Sequence, residues 1–84
     1  MHYVYVLQSS KDKKFYVGYS KELKQRVEEH NRGVVPATKQ RRPLRLVYYE
    51  ACVSKNDALR REKYLKTGWG KRFIKNRLKD YLTG

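Results

Sequence analysis

Tyr3-Val4-Tyr5-Val6-Leu7-Gln8, followed after the polar stretch Ser9 to Lys14 by Phe15-Tyr16-Val17-Gly18-Tyr19, decides the fold. Both runs are rich in aromatic and β-branched residues, the first alternating Tyr3, Tyr5 and Leu7 against Val4, Val6 and Gln8, so both read as strands. The short polar join makes the two a hairpin. With an even-length loop and no bulge, the numbers of paired residues sum to an odd number, which puts Tyr5 and Tyr16 on the same face. They are ordinary strand aromatics or two phenols brought together for chemistry.

Working outward, Ser20 is placed to cap a helix from Lys21 to Asn31, with Leu23, Val27 and His30 on one stripe and Gly33 positioned to end it. From Arg32 to Arg45 there are five basic residues and no acid, broken by Gly33, Pro36 and Pro43, which reads as an exposed basic loop. Leu44 to Ala51 supplies a third strand. Ser54-Lys55-Asn56-Asp57 resembles a capping box opening a second helix to about Lys66, Gly68 and Gly70 interrupt the chain, and a third helix runs from about Lys71 to Leu82 with Ile74, Leu78 and Tyr81 on one stripe. The expectation is one α+β domain over residues 1–84, a small three-stranded antiparallel sheet flanked by helices in the order β-β-α-β-α-α.

The 84 residues carry 21 Lys and Arg against 8 Asp and Glu, a net charge of +13. So much like charge repels itself, and a polyanion would relieve it. Membrane binding would ask for an amphipathic basic helix or a lipid site beside the charge, and neither stands out. No apolar run approaches the roughly 20 residues of a membrane span, and the N-terminus lacks the layout of a signal peptide, so a cytoplasmic location is expected. Cys52 has no partner for an internal disulfide, and with His2 and His30 it falls short of a four-ligand zinc site.

Several side chains stand out against this background. Arg26 lies about 60° from the Leu23, Val27 and His30 stripe, so a cation and an imidazole face the sheet. They are core and phosphate-contact residues or parts of a reactive site. Glu62 interrupts an apolar arc made by Ala58, Leu59 and Leu65. A carboxylate there needs a positive partner, either a neighbouring Arg or a bound divalent cation. Lys39, Arg41 and Arg42 of the loop, with Lys66, Lys71 and Arg72 of the helices, are candidate phosphate contacts. Gly68-Trp69-Gly70-Lys71 lacks the glycine spacing of a phosphate-binding P-loop.

Taken together, Tyr3-Val4-Tyr5, Tyr16-Val17-Gly18, Arg26, His30 and Glu62 resemble the GIY-YIG nuclease family in its small stand-alone bacterial form. The joint spacing carries the resemblance: eleven residues from Tyr5 to Tyr16, ten to Arg26, four to His30, then a helix bearing Glu62. Tyr3 stands where the family's first Gly would be, while the reactive side chains are kept. Many relatives also use an Asn in the last helix. Asn76 is the nearest match, but it points about 160° away from the apolar stripe, and the role is not carried over.

The resemblance implies a metal-dependent endonuclease that hydrolyses phosphodiester bonds of nucleic acid, with DNA expected and repair or recombination as the setting. Glu62 would hold Mg²⁺ or Mn²⁺, Arg26 would stabilise the transition state, and Tyr5, Tyr16 or His30 would activate or position the water. The chain has no room for an attached DNA-binding domain, so target choice would rest on DNA structure, a homodimer or a protein partner. Two other readings stand beside it. One is a non-catalytic basic nucleic-acid-binding module that keeps the fold, and the other is an adaptor for an acidic protein, which leaves Glu62 and the tyrosines unexplained.

Overall fold

The computed structural model describes residues Met1–Gly84. Its sheet has strand order β2-β1-β3, where β1 is His2–Ser9, β2 is Phe15–Ser20 and β3 is Leu44–Cys52, all antiparallel. The helices are α1 (Leu23–Arg32), α2 (Lys55–Leu65), α3 (Gly68–Arg77) and the short α4 (Lys79–Thr83). The α+β class and the expected order of strands and helices hold, with the last helical stretch divided at Leu78. No helix is long and apolar enough to cross a membrane.

The hairpin register is the one the sequence predicts: Tyr5 pairs with Gly18 and Leu7 with Tyr16, so Tyr5 and Tyr16 share a face. The sheet, however, is covered on both sides. Val4, Val6 and Val17 pack with Ala58, Leu65 and Ile74 of α2 and α3. Tyr5, Leu7 and Leu44 form a second cluster with Leu23 and Val27 of α1. The physical reason lies in β1, whose Val4 to Leu7 are all buried; a central strand with apolar residues on both faces needs a layer over each.

Helix starts differ from expectation in two places, and one expected cap makes no bond. α1 begins at Leu23 rather than Lys21, because the Ser20 hydroxyl accepts the Glu22 N–H in a turn ahead of the helix instead of capping it. Ser54 does sit at the start of α2 with extended backbone, but its side chain makes no capping bond. α3 begins at Gly68 rather than Lys71: the Thr67 hydroxyl accepts the Gly70 N–H at 3.1 Å, and this cap starts the helix through the two glycines. Gly70 is also pressed against α2, where a Cβ would strike the backbone of Tyr64 and Leu65.

The basic segment after α1 is less of a free loop than its composition suggests. Gly33 ends α1 in the left-handed conformation (φ 81°), as expected. Beyond it Val35, Thr38 and Leu44 are buried, and Lys39–Arg41 form a 3₁₀ turn. Asn31 ties the end of α1 to β3, its amide donating to the Leu44 carbonyl at 2.8 Å and its side-chain oxygen accepting the Leu44 N–H at 2.8 Å. Arg41 locks the segment to the hairpin turn by donating to Asp12 and to the Phe15 carbonyl, both at 3.3 Å.

Candidate active site

The site begins with a missing side chain. Tyr5 projects from the central strand across β2 at Gly18, where a Cβ would collide with the phenol carbon and hydroxyl and lie 2.9 Å from Cε2. Glycine in mid-strand marks a close approach of this kind. The ring crosses over the neighbouring strand, and its hydroxyl meets His30 Nε2 at 2.8 Å beneath α1.

His30 is fully buried, and its other ring nitrogen lies 2.7 Å from Thr38 Oγ1. Burial first, and then the nearby Arg26 charge, push its pKa down to about 4, so the imidazole is neutral at physiological pH. Tyr5 is pushed the other way, up to about 12, chiefly by burial; the charges of Tyr16 and Glu62 add to the rise, and Arg26 opposes it. The phenol therefore keeps its proton. Arg26 is a donor only, so the acceptor for that proton is His30 Nε2, and His30 Nδ1–H then donates to Thr38. Tyr5, His30 and Thr38 form one hydrogen-bonded line from the sheet to the loop.

Tyr16 completes the group. Its ring centroid is 6.5 Å from that of Tyr5 and 5.1 Å from that of His30, the latter edge to face. Unlike Tyr5 it is only half-buried, on a strand at the edge of the sheet. Arg26 bonds Glu29 at 3.0 Å, leaving its side chain 36% exposed, enough to meet a ligand with its remaining donors. Glu62 comes from α2, close enough for its charge to register on Tyr5. Its partner within the chain is a lysine rather than an arginine: the Lys66 ammonium lies at 3.4 Å, while Arg60 and Arg61 of this helix pair with Asp57 and Glu50. The structure thus brings Tyr5, Tyr16, Arg26 and His30 into one group with Glu62 nearby.

The candidate phosphate contacts divide into separate banks. Lys66 and Lys71 line a shallow groove with Tyr16, and Lys71 shares a second groove with Arg41, Lys13, Lys14 and Lys75. Lys39 and Arg42 lie elsewhere, around Lys11 and Asn31, and Arg72 stacks on Trp69. Asn76 is exposed among Arg77, Leu78 and Tyr81, apart from these groups. Sequence reasoning missed Gly18 and Thr38 as site residues. Gly18 was legible as a glycine in mid-strand, whereas Thr38 sits in a segment whose composition gives no sign that it turns inward.

Comparison with known proteins agrees with this geometry. A family model described as the GIY-YIG catalytic domain matches residues 1–76. The chain is 48% identical over 67 residues to UPF0213 proteins of Staphylococcus aureus strains Mu3 and N315, covering 79% of this chain and 80% of each relative. The solution NMR structure of the UPF0213 protein BH0048 from Bacillus halodurans is similar in fold, with a TM-score of 0.55 and 34% identity over 87% of this chain and 80% of that one.

Proposed function

Since this chain belongs to the GIY-YIG family of nuclease-type catalytic domains, we propose that it is a metal-dependent endonuclease hydrolysing phosphodiester bonds of DNA. The observation that carries this reading is the Tyr5 hydroxyl, fixed over Gly18 at 2.8 Å from a neutral, buried His30 and beside the Arg26 guanidinium. A phenol needed only for packing would be satisfied by one carbonyl. Here it is oriented by an imidazole that is itself oriented by Thr38.

Glu62 offers one carboxylate, held by a single flexible ammonium, and no three His, Cys, Asp or Glu side chains gather into a ligand set. That donor chemistry fits Mg²⁺ or Mn²⁺, which bind through one or two carboxylates together with water and substrate phosphate, and does not fit zinc. When bound, such an ion supplies positive charge that offsets the charge developing on the non-bridging and leaving oxygens.

Arg26 has the planar set of donors suited to a phosphoryl group approaching its pentavalent state. We assign Tyr5, with its high pKa, to positioning the water by hydrogen bonding, and His30 to holding Tyr5. Tyr16, half-exposed in the Lys66 and Lys71 groove, is then the base: with its own proton given up to solvent, its phenolate would take the proton of the attacking water and return to the phenol. Arg41, Lys66 and Lys71 are the phosphate contacts assigned to the grooves beside this group, and a second copy or a protein partner would add target choice.

The test is nicking of supercoiled plasmid and labelled branched DNA with Mn²⁺ or Mg²⁺. Glu62→Gln is expected to lower the rate on the order of 10³-fold, with circular dichroism and melting temperature unchanged. Undiminished cutting by that variant would remove Glu62 from the chemistry. One observation favours the second reading, a DNA-binding module without catalysis: Lys66 already neutralises Glu62. Tight, salt-sensitive binding with no cleavage under either ion would establish it.

A further inference from the structure

Trp69 is the one tryptophan of the chain, and it is 70% exposed in the first turn of α3. Its neighbours explain why it faces outward. Gly70 must turn toward α2, because any Cβ there would strike the Tyr64 and Leu65 backbone, and the preceding residue is rotated about 100° from it around the helix. On the other side, a Cβ at Gly68 would meet nothing within 4 Å, so no side chain at that position shields the indole. Arg72, one turn on, carries its guanidinium 5.1 Å from the ring centroid. An aromatic plane is thus left in water with a cation stacked on it.

The surroundings select what would cover it. Lys66 and Lys71 are exposed close by in the chain and line the groove that contains Tyr16. The one acid this near in the chain, Glu62, is paired with Lys66. A protein hot spot would set an exposed tryptophan in an apolar surround, whereas this one carries a cation on its ring, with two lysines within three residues along the chain. A ligand that brings both negative charge and a flat apolar face is a nucleotide, and only an unpaired base has a free face to offer.

We propose that Trp69 and Arg72 form a stacking platform for an unpaired base of DNA, from which the strand runs along Lys66 and Lys71 toward Tyr16 and Glu62. This rests on the nuclease reading for the choice of DNA, and it narrows the substrate to DNA with unpaired nucleotides beside the cut.

Because Trp69 is the sole tryptophan, its fluorescence reports on the platform directly, without metal or cleavage. Titration with a single-stranded oligothymidylate is expected to quench it saturably, while an abasic strand of equal length and heparin leave it unquenched. By anisotropy of a labelled strand, Trp69→Ala is expected to bind oligothymidylate on the order of tenfold more weakly and the abasic strand equally well, with Trp69→Phe intermediate. Equal quenching by the abasic strand, or unchanged binding by Trp69→Ala, overturns the platform. Retained cutting alongside such a result would leave the nuclease reading intact, and base-specific quenching without cutting under Mn²⁺ would support the platform while removing the nuclease.

Discussion

A single methyl group added at position 18 would occupy the space of the Tyr5 phenol, a ring only 1% exposed and bounded by His30 and Tyr16. Gly18→Ala is therefore expected to cost about 1–3 kcal/mol in urea unfolding. It should also slow nicking more than the loss of folded protein explains, because Tyr5 must leave His30; a variant that melts and cuts like the parent would mean that the phenol is not held there. His30 gives a second test, through pH. Its folded pKa of about 4 lies below its ordinary 6.5, so between those values the unfolded chain binds a proton that the folded chain refuses. Stability is then full above pH 6.5 and falls as the pH drops toward 4. His2 is shifted the same way, whereas Asp12, Glu29 and Glu50 are lowered carboxyls whose contribution is lost further into acid. In a His2→Gln background the melting temperature should decline from pH 7 to 4.5, and the further change His30→Asn should lower it at pH 7 while flattening that decline. An unchanged slope would mean that His30 is not kept neutral by the fold.

At the scale of elements, what could be read in advance is what local pattern controls. Alternation in β1 and β2 gave the strands, and the parity of a hairpin put Tyr5 and Tyr16 together without any tertiary information. Gly33 marked the end of α1 because a left-handed terminus favours glycine wherever the helix later packs. The errors came where tertiary contact overrode local preference. Gly68 and Gly70 read as breakers, yet the Thr67 cap starts α3 there and the bare Gly70 Cα lets two helices approach. The segment after α1 read as exposed because its charges are visible in sequence, while the inward turn of Val35 and Thr38 depends on tertiary contacts such as that of Thr38 with His30. The same limit applied to the site. The spacing identified which residues to consider, but the Tyr5–His30–Thr38 line needed the loop folded back over α1.

For the whole molecule, charge has to be reckoned against size. Five cations have an acidic partner, so sixteen of the 21 Lys and Arg have none, on a body of 33 × 29 × 19 Å. Screening lengths fall from about 30 Å at 0.01 M salt to about 10 Å at 0.1 M, so at low salt most of these charges repel one another across the fold. Added salt should therefore act in opposite directions on folding and on binding. The melting temperature is expected to rise by several degrees as NaCl goes from about 0.02 to 0.3 M, as self-repulsion is screened. Over the same range DNA affinity should fall linearly on logarithmic axes, with a slope of about −0.9 per phosphate contact on duplex and about −0.7 on a single strand. Lys71→Ala, which removes a cation shared by the Tyr16 groove and the groove that adjoins it at Phe15, should make that slope shallower by roughly one contact; Lys39→Ala, on the separate bank, should leave it nearly unchanged. Equal effects of the two substitutions would mean that DNA senses only the overall field of +13. A difference confined to Lys71 would mean that the strand follows a track along β2, past the residues proposed to carry the chemistry.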